Sequence, residues 1–376
     1  MTADTIHRRL RCWAEIDLVA LLHNADTLRA QGRMELLAVV KANAYGHGTA
    51  DVVRALDGRA AFFGVANLHE AEDVEATGTT TPIVLLGSCL PDEREAAVRD
   101  GLHVSISSVE EAAAWDVLAA KLDRTVHGHI VVDTGMGRMG IPEATWNENT
   151  ARDLQKFARI QWVGLASHLP SADEDEGFTL AQIERFRKVV AQAHVGGLRP
   201  RWVHLDNSAG LLGFPHTAEF CNLARPGLAL YGVSPLPAQQ SLLKPVLTWR
   251  TRVILVRALP AGHGISYGRA DKLARPSQVA TLACGYADGY PRQVSGRGAS
   301  VLIQGQRCPI LGRVTMDQIM VDVTDLPINV ALGEEAVLFG SQSESEISAN
   351  ELANLAGTIP WHIFTSITAR VERVKK

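Results

Sequence analysis

Up to about residue 240, short apolar runs recur at Leu36–Val40, Phe62–Ala66, Ile83–Leu86, His103–Ile106, His129–Val132, Trp162–Ala166, Trp202–Leu205 and around Asn222–Ala224. Runs of this length and composition predict strands. The segments between them, among them Leu18–Gln31, Leu68–Thr77, Ser108–Leu122 and Leu180–His194, are amphipathic and predict helices. The first starts behind Asp17 and stops near Gly32, and another follows Ser107-Ser108 with Glu110 and Glu111 in its first turn. Both carry ordinary helix start and stop signals. Eight strands alternating with helices predict a (β/α)8 barrel of the TIM type, an α/β fold. A doubly wound open sheet is the alternative that strand counting leaves open.

Beyond about residue 245 the pattern changes. Val246–Leu259, Val279–Ala283, Ser300–Gln304, Gln318–Val323 and Ala336–Phe339 are strand-like and separated by turns carrying Gly and Pro, with one short helix near Ser348–Ala356. This predicts a mainly antiparallel β domain. Pro235-Leu236-Pro237 and the polar Gln239-Gln240-Ser241 suit a linker. The expected domains are therefore 12–240 and 241–376, with residues 1–11 joining the second. A chain of 376 residues exceeds the usual limit for one hydrophobic core, in keeping with two domains.

Composition narrows the function classes. A net charge of −4 supplies no basic field for nucleic acid and no polybasic membrane patch. No apolar run reaches the length needed to span a bilayer, and the polar start before Trp13 has no signal-peptide core. Cysteines 12, 89, 221, 284 and 308 are odd in number and scattered, which fits neither a disulfide framework nor a metal site and suits a reducing, cytoplasmic setting. No metal is expected.

In a barrel, chemistry gathers where strands end and loops begin. Those positions carry Lys41, Arg138, His168, Ser208 and Arg225. A lysine beside an apolar strand end has a depressed pKa, as a Schiff-base lysine requires. The loops after the seventh and eighth strands contain Ser208 and Arg225-Pro226-Gly227-Leu228, so the Ser208 hydroxyl and the backbone N–H groups of Gly227 and Leu228 are candidate phosphate donors. Tyr45 is a further candidate donor, through its phenol. Ser208 also reads as a plain helix N-cap.

The segments Lys41-Ala42-Asn43-Ala44-Tyr45-Gly46-His47-Gly48, Asp133-Thr134-Gly135-Met136-Gly137-Arg138, Arg225-Pro226-Gly227 and Gly285 to Arg292 together resemble alanine racemases, and the likeness runs from about residue 12 to 370. That resemblance implies a pyridoxal 5'-phosphate (PLP) enzyme interconverting L- and D-alanine, acting on a small amino-acid substrate and supplying D-alanine. It sets Lys41 as the cofactor lysine and Arg225 against the pyridine nitrogen. A guanidinium holds its proton, so the ring nitrogen stays unprotonated, which favours racemisation over transamination.

Inversion needs a proton donor or acceptor on each face of the reacting carbon. Lys41 serves one face. The other candidate is Tyr267, in the glycine-dense loop Ala261 to Arg269. Free tyrosine titrates near pH 10, so a neighbour must stabilise its phenolate; His168, with Arg225 beyond it, is the candidate. The resemblance implies a homodimer in which Tyr267 and Met316 complete the partner's site. It also implies that Met316 and Tyr286 contact the substrate, that Arg138 reaches a cofactor phenolate oxygen or the substrate carboxylate, and that His168 belongs with the cofactor-binding residues.

Three positions depart from the family pattern. Val131 stands where many members carry a carbamylated lysine supporting the arginine, so Arg138 must be held by a bound chloride or another side chain. Trp361 replaces a tyrosine that reaches towards the cofactor phosphate, and Thr315 replaces a Cys or Ser. These changes keep serine or another small amino acid open as substrate. A barrel-type PLP decarboxylase and a non-catalytic PLP-binding protein are the other rivals; Arg225 argues against the first and the full β domain against the second.

Overall fold

The computed structural model describes residues 10–376. The chain divides into two compact units: one holds the N-terminal stretch up to Leu18, Tyr45–His47 and Pro245–Lys376, the other Val19–Ala44 and Gly48–Lys244. Of residues 1–11, only Leu10 and Arg11 fall within the described part, and their carbonyls accept from Arg252.

The larger unit is the barrel. Its parallel strands are Glu35–Val39, Phe62–Val65, Ile83–Leu85, His103–Ile106, Val126–Asp133, Ile160–Ala166, Trp202–His204 and Leu223–Ala224. The first seven pair in chain order, and the eighth pairs with the first. Asn222 closes the remaining gap: its N–H donates to the Val203 carbonyl at 3.0 Å and its side-chain oxygen accepts from Val203 N at 2.9 Å. The barrel is thus continuous, and the open-sheet alternative falls. Helices Leu18–Gly32, Leu68–Glu75, Val109–Leu122 and Glu176–Val195 stand between the strands as the pattern predicts. The starts of the last three are fixed by Asn67, Ser108 and Asp175, each accepting from a first-turn N–H.

The barrel interior departs from the usual Val, Ile and Leu filling. His103, His129 and His204 are buried there beside Phe62. Gly164, on the sixth strand, makes room for one of them: a Cβ at this position would stand 2.1 Å from His129 Nδ1. Gly164→Ala is therefore expected to destabilise the fold by about 3 kcal/mol or more, at the upper end for overpacking. A urea titration with an unchanged midpoint would contradict this.

The smaller unit is built on a nine-stranded sheet ordered Ser345–Ile347, Glu335–Gln342, Ser300–Ile303, Gln306–Leu311, Ile319–Asp322, Ser277–Leu282, Leu247–Leu259, Cys12–Ile16 and Glu372–Lys375. All neighbours are antiparallel except the last pair. Leu247–Leu259 pairs additionally with Glu335–Gln342, which curls the sheet back on itself. Trp13, Trp249 and Phe339 fill the core it encloses. The helix Ala349–Ala356 stands where the pattern places it, capped by Ser348.

Candidate active site

Lys41 lies just past the end of the first barrel strand, and the chain then makes a left-handed turn. Ala42, Asn43, Ala44 and Tyr45 all have φ near 50°, although none is glycine. Each such residue costs on the order of 1 kcal/mol, so the turn persists only where its surroundings impose it. Glu70 is one such constraint, bridging Ala42 N at 2.8 Å and Ala66 N at 2.7 Å with its two carboxylate oxygens. Asn43 is another, its carbonyl accepting from Gly48 N and its side chain from Thr49 N.

Lys41 is half-buried. Burial and the charge of Arg138 lower its amine below the ordinary lysine value, with Glu70 opposing in part. Burial, Arg225, Arg138 and Lys41 together push His168 down to about 3, so its ring is neutral. These mutual influences place Lys41, Arg138 and Arg225 in one cationic cluster around the neutral His168 at the ends of the barrel strands.

Arg225 is buried and held from several sides. Its Nη1 donates to His204 Nδ1 at 2.8 Å and to the His204 carbonyl at 2.9 Å. Its Nη2 donates to the carbonyls of Ser167 at 2.5 Å and Leu205 at 3.1 Å and lies 3.1 Å from His168 Nδ1. Burial lowers its guanidinium to about 10, so it remains charged at neutrality. A guanidinium only donates, so both facing Nδ1 atoms are acceptors. His168 therefore carries its proton on Nε2, ready to donate outward. Arg225 Nε–H is not engaged in any of these bonds.

The Asp133-to-Arg138 loop is shaped by its first residue. Asp133 accepts from the N–H groups of Gly135, Met136 and Gly137. Burial alone would raise this carboxyl, but those three donors hold it below the usual carboxylate range. Thr134 meets Ser167 at 2.7 Å, and Gln182 ties Thr134 to the His168 carbonyl. Arg138 is exposed and has no hydrogen bond or ion pair among the described residues; no side chain takes the place of an anion at Val131.

Ser208 is not the helix cap; Asn207 is, accepting from Gly210 N. The Ser208 hydroxyl instead accepts from Gly227 N and Ala229 N, each at 3.1 Å, leaving its own proton to donate. The Gly227 N–H is thereby engaged with Ser208, whereas the Leu228 N–H has no acceptor among the described residues. Pro226 O receives Val39 N at 3.1 Å and Tyr231 donates to Val39 O, which ties this segment to the strand that leads to Lys41.

The remaining candidates belong to the other unit. Tyr45 is buried, and burial raises its phenol to about 12, so it can act only as a protonated donor near neutrality. Tyr267, Met316 and Tyr286 are exposed, at 67%, 53% and 40%. They form one neighbourhood: Ser266 Oγ donates to the Arg313 carbonyl, Tyr286 N to Thr315 O and Ala287 N to Met316 O. Gly285 permits this approach, since a Cβ there would lie 2.3 Å from both the Thr315 and Met316 carbonyl oxygens. Trp361 is half-buried in the helix Pro360–Ser366.

A cationic cluster around a lysine of lowered pKa at the C-terminal end of a (β/α)8 barrel, with no carboxylate within ion-pair distance of Arg138 or Arg225 among the described residues, defines an enzyme site for an anionic ligand. The family descriptions "Alanine racemase, N-terminal domain" and "Alanine racemase, C-terminal domain" match residues 16–235 and 246–375. An alanine racemase of Symbiobacterium thermophilum is 43% identical, with 96% of each chain covered. The alanine racemase of the D-cycloserine producer Streptomyces lavendulae superposes with a TM-score of 0.89 at 36% identity, covering 97% of both chains. That of Bartonella henselae, solved with covalently bound pyridoxal phosphate, gives 0.88 at 30% identity, covering 98% of this chain and all of that one. The chain belongs to the alanine racemase family. It is an isomerase that interconverts L- and D-alanine.

Proposed function

We propose that this activity runs on PLP held at the barrel mouth, with Lys41 and Tyr267 as the two bases in a homodimer whose subunits complete each other's sites. The observation carrying the cofactor reading is the donor set: a lysine with a lowered amine pKa, a Ser208 proton and a Leu228 N–H left to donate, and a buried Arg225 offering Nε–H. These fit an aldehyde, a phosphate and a pyridine nitrogen in turn. Bound there, PLP would withdraw electrons from the amino acid and make its α-proton acidic.

The chain's own groups then divide the work. Lys41 holds or releases a proton on one face of the α-carbon. Tyr267 does so on the other, and His168, donating through Nε2, stabilises its phenolate. Arg138, unpaired among the described residues, is free to receive the substrate carboxylate. Arg225 withholds a proton from the ring nitrogen and so suppresses transamination. The exposure of Tyr267, Met316 and Tyr286 supports completion by a second copy, since three large apolar side chains in one neighbourhood favour being covered. We further propose that the enzyme works in the cytoplasm and supplies D-alanine for biosynthesis, the domains dividing near residue 240 and the stretch up to Leu18 belonging with the second rather than the first. Among the described residues no helix is long and apolar enough to cross a membrane.

Proton NMR of the protein with added PLP and L-alanine in D2O, followed by chiral analysis, tests the reading. α-Deuteration accompanied by D-alanine is expected only when PLP is present. Inversion unaffected by removing PLP would sink the cofactor assignment.

A further inference from the structure

Below Arg225, three histidines stand head to tail through the barrel. His204 ends the seventh strand, His129 lies within the fifth and His103 opens the fourth. His204 Nε2 lies 3.0 Å from His129 Nδ1, and His129 Nε2 lies 3.1 Å from His103 Nδ1. Arg225 heads the row through its 2.8 Å hydrogen bond to His204 Nδ1.

Because a guanidinium only donates, His204 Nδ1 must accept, and the single proton of its neutral ring sits on Nε2. That proton is donated to His129 Nδ1, which places the His129 proton on Nε2 in turn. The same step fixes His103. One buried cation thus sets the tautomer of three rings. A proton added to any of them would set two donors against each other, and burial opposes it. It pushes His103 down to about 4, helped by His127, and holds His129 and His204 well below the ordinary histidine value. His103 stacks on His127 at 4.7 Å, and Phe62 packs edge-on against His103 and His129.

We propose that His129 and His103 are positioning residues for Arg225, acting through His204 as a one-way hydrogen-bonded row. Without an acceptor at His129, His204 has two poor choices. It keeps its proton on Nε2 as a buried donor with no partner, or moves it to Nδ1 and opposes Arg225. Either choice loosens the guanidinium. The proposal rests on Arg225 being the contact to the cofactor ring, but its first test uses no cofactor.

In the cofactor-free protein labelled with 15N-histidine, His103, His129 and His204 are each expected to be neutral and protonated on Nε2. A ring protonated on Nδ1, or on both nitrogens, overturns the row. His129→Phe is expected to shift the His204 Nε2 resonance by removing its acceptor and, with PLP bound, to lower kcat about tenfold while KM for alanine stays within about twofold. His129→Asn, whose amide oxygen can accept from His204, should restore that resonance. An unchanged His204 in His129→Phe, or an unchanged kcat, overturns the positioning role. If that variant does not fold, His103→Phe puts the same question to His129.

Discussion

Lys41→Ala is expected to lose at least about four orders of magnitude in kcat, the scale seen when an essential nucleophile or base is removed. The structure argues for so large a loss. Among the described residues no other lysine shares the cationic cluster, and the left-handed turn after it, pinned by Glu70 and Asn43, fixes where its amine can reach. The variant should still fold, because Lys41 is only half-buried. It should bind PLP reversibly, so that dialysis removes the cofactor. Racemisation within tenfold of wild type, or PLP still resisting dialysis, would move the covalent role away from this residue.

Tyr267→Phe should lower racemisation by about two to four orders of magnitude, the usual worth of a positioned acid or base, while sparing one half of the chemistry. Lys41 would still exchange the α-proton of one enantiomer with solvent. The expected result in D2O is therefore deuterium incorporation from one enantiomer only, with no inversion. Tyr267 is two-thirds exposed and its ring fills no core, so the change should leave stability untouched. Exchange from both enantiomers, with inversion, would show that another group serves the second face.

Much of this was legible in the residues because the barrel strands are apolar runs set off by helical stretches, and their ends carry the reactive side chains. Lys41, His168 and Arg225 are found at strand ends for that reason. Other features have no such signal. The strand Gln306–Leu311 is masked by Arg307 and by Pro309, and Cys12–Ile16 and Glu372–Lys375 join the sheet only through long-range pairing. Nothing in Ala42-Asn43-Ala44 announces a left-handed turn, since the conformation is imposed from outside by groups such as Glu70. The inward histidines pass as strand residues because His103 and His129 are flanked by apolar neighbours. Histidines set among apolar strand positions were the available sign, although only the closed barrel shows that they touch.

Gly164 and His129 form a historically contingent pair. While the imidazole is present, a side chain at 164 meets it far inside van der Waals distance; once position 129 has shrunk, the same addition becomes admissible. The two positions therefore cannot drift independently, and a double-mutant cycle would register them as strongly non-additive. A lineage reaches the present pair by gaining the glycine before the histidine. It leaves by giving up the histidine before the glycine.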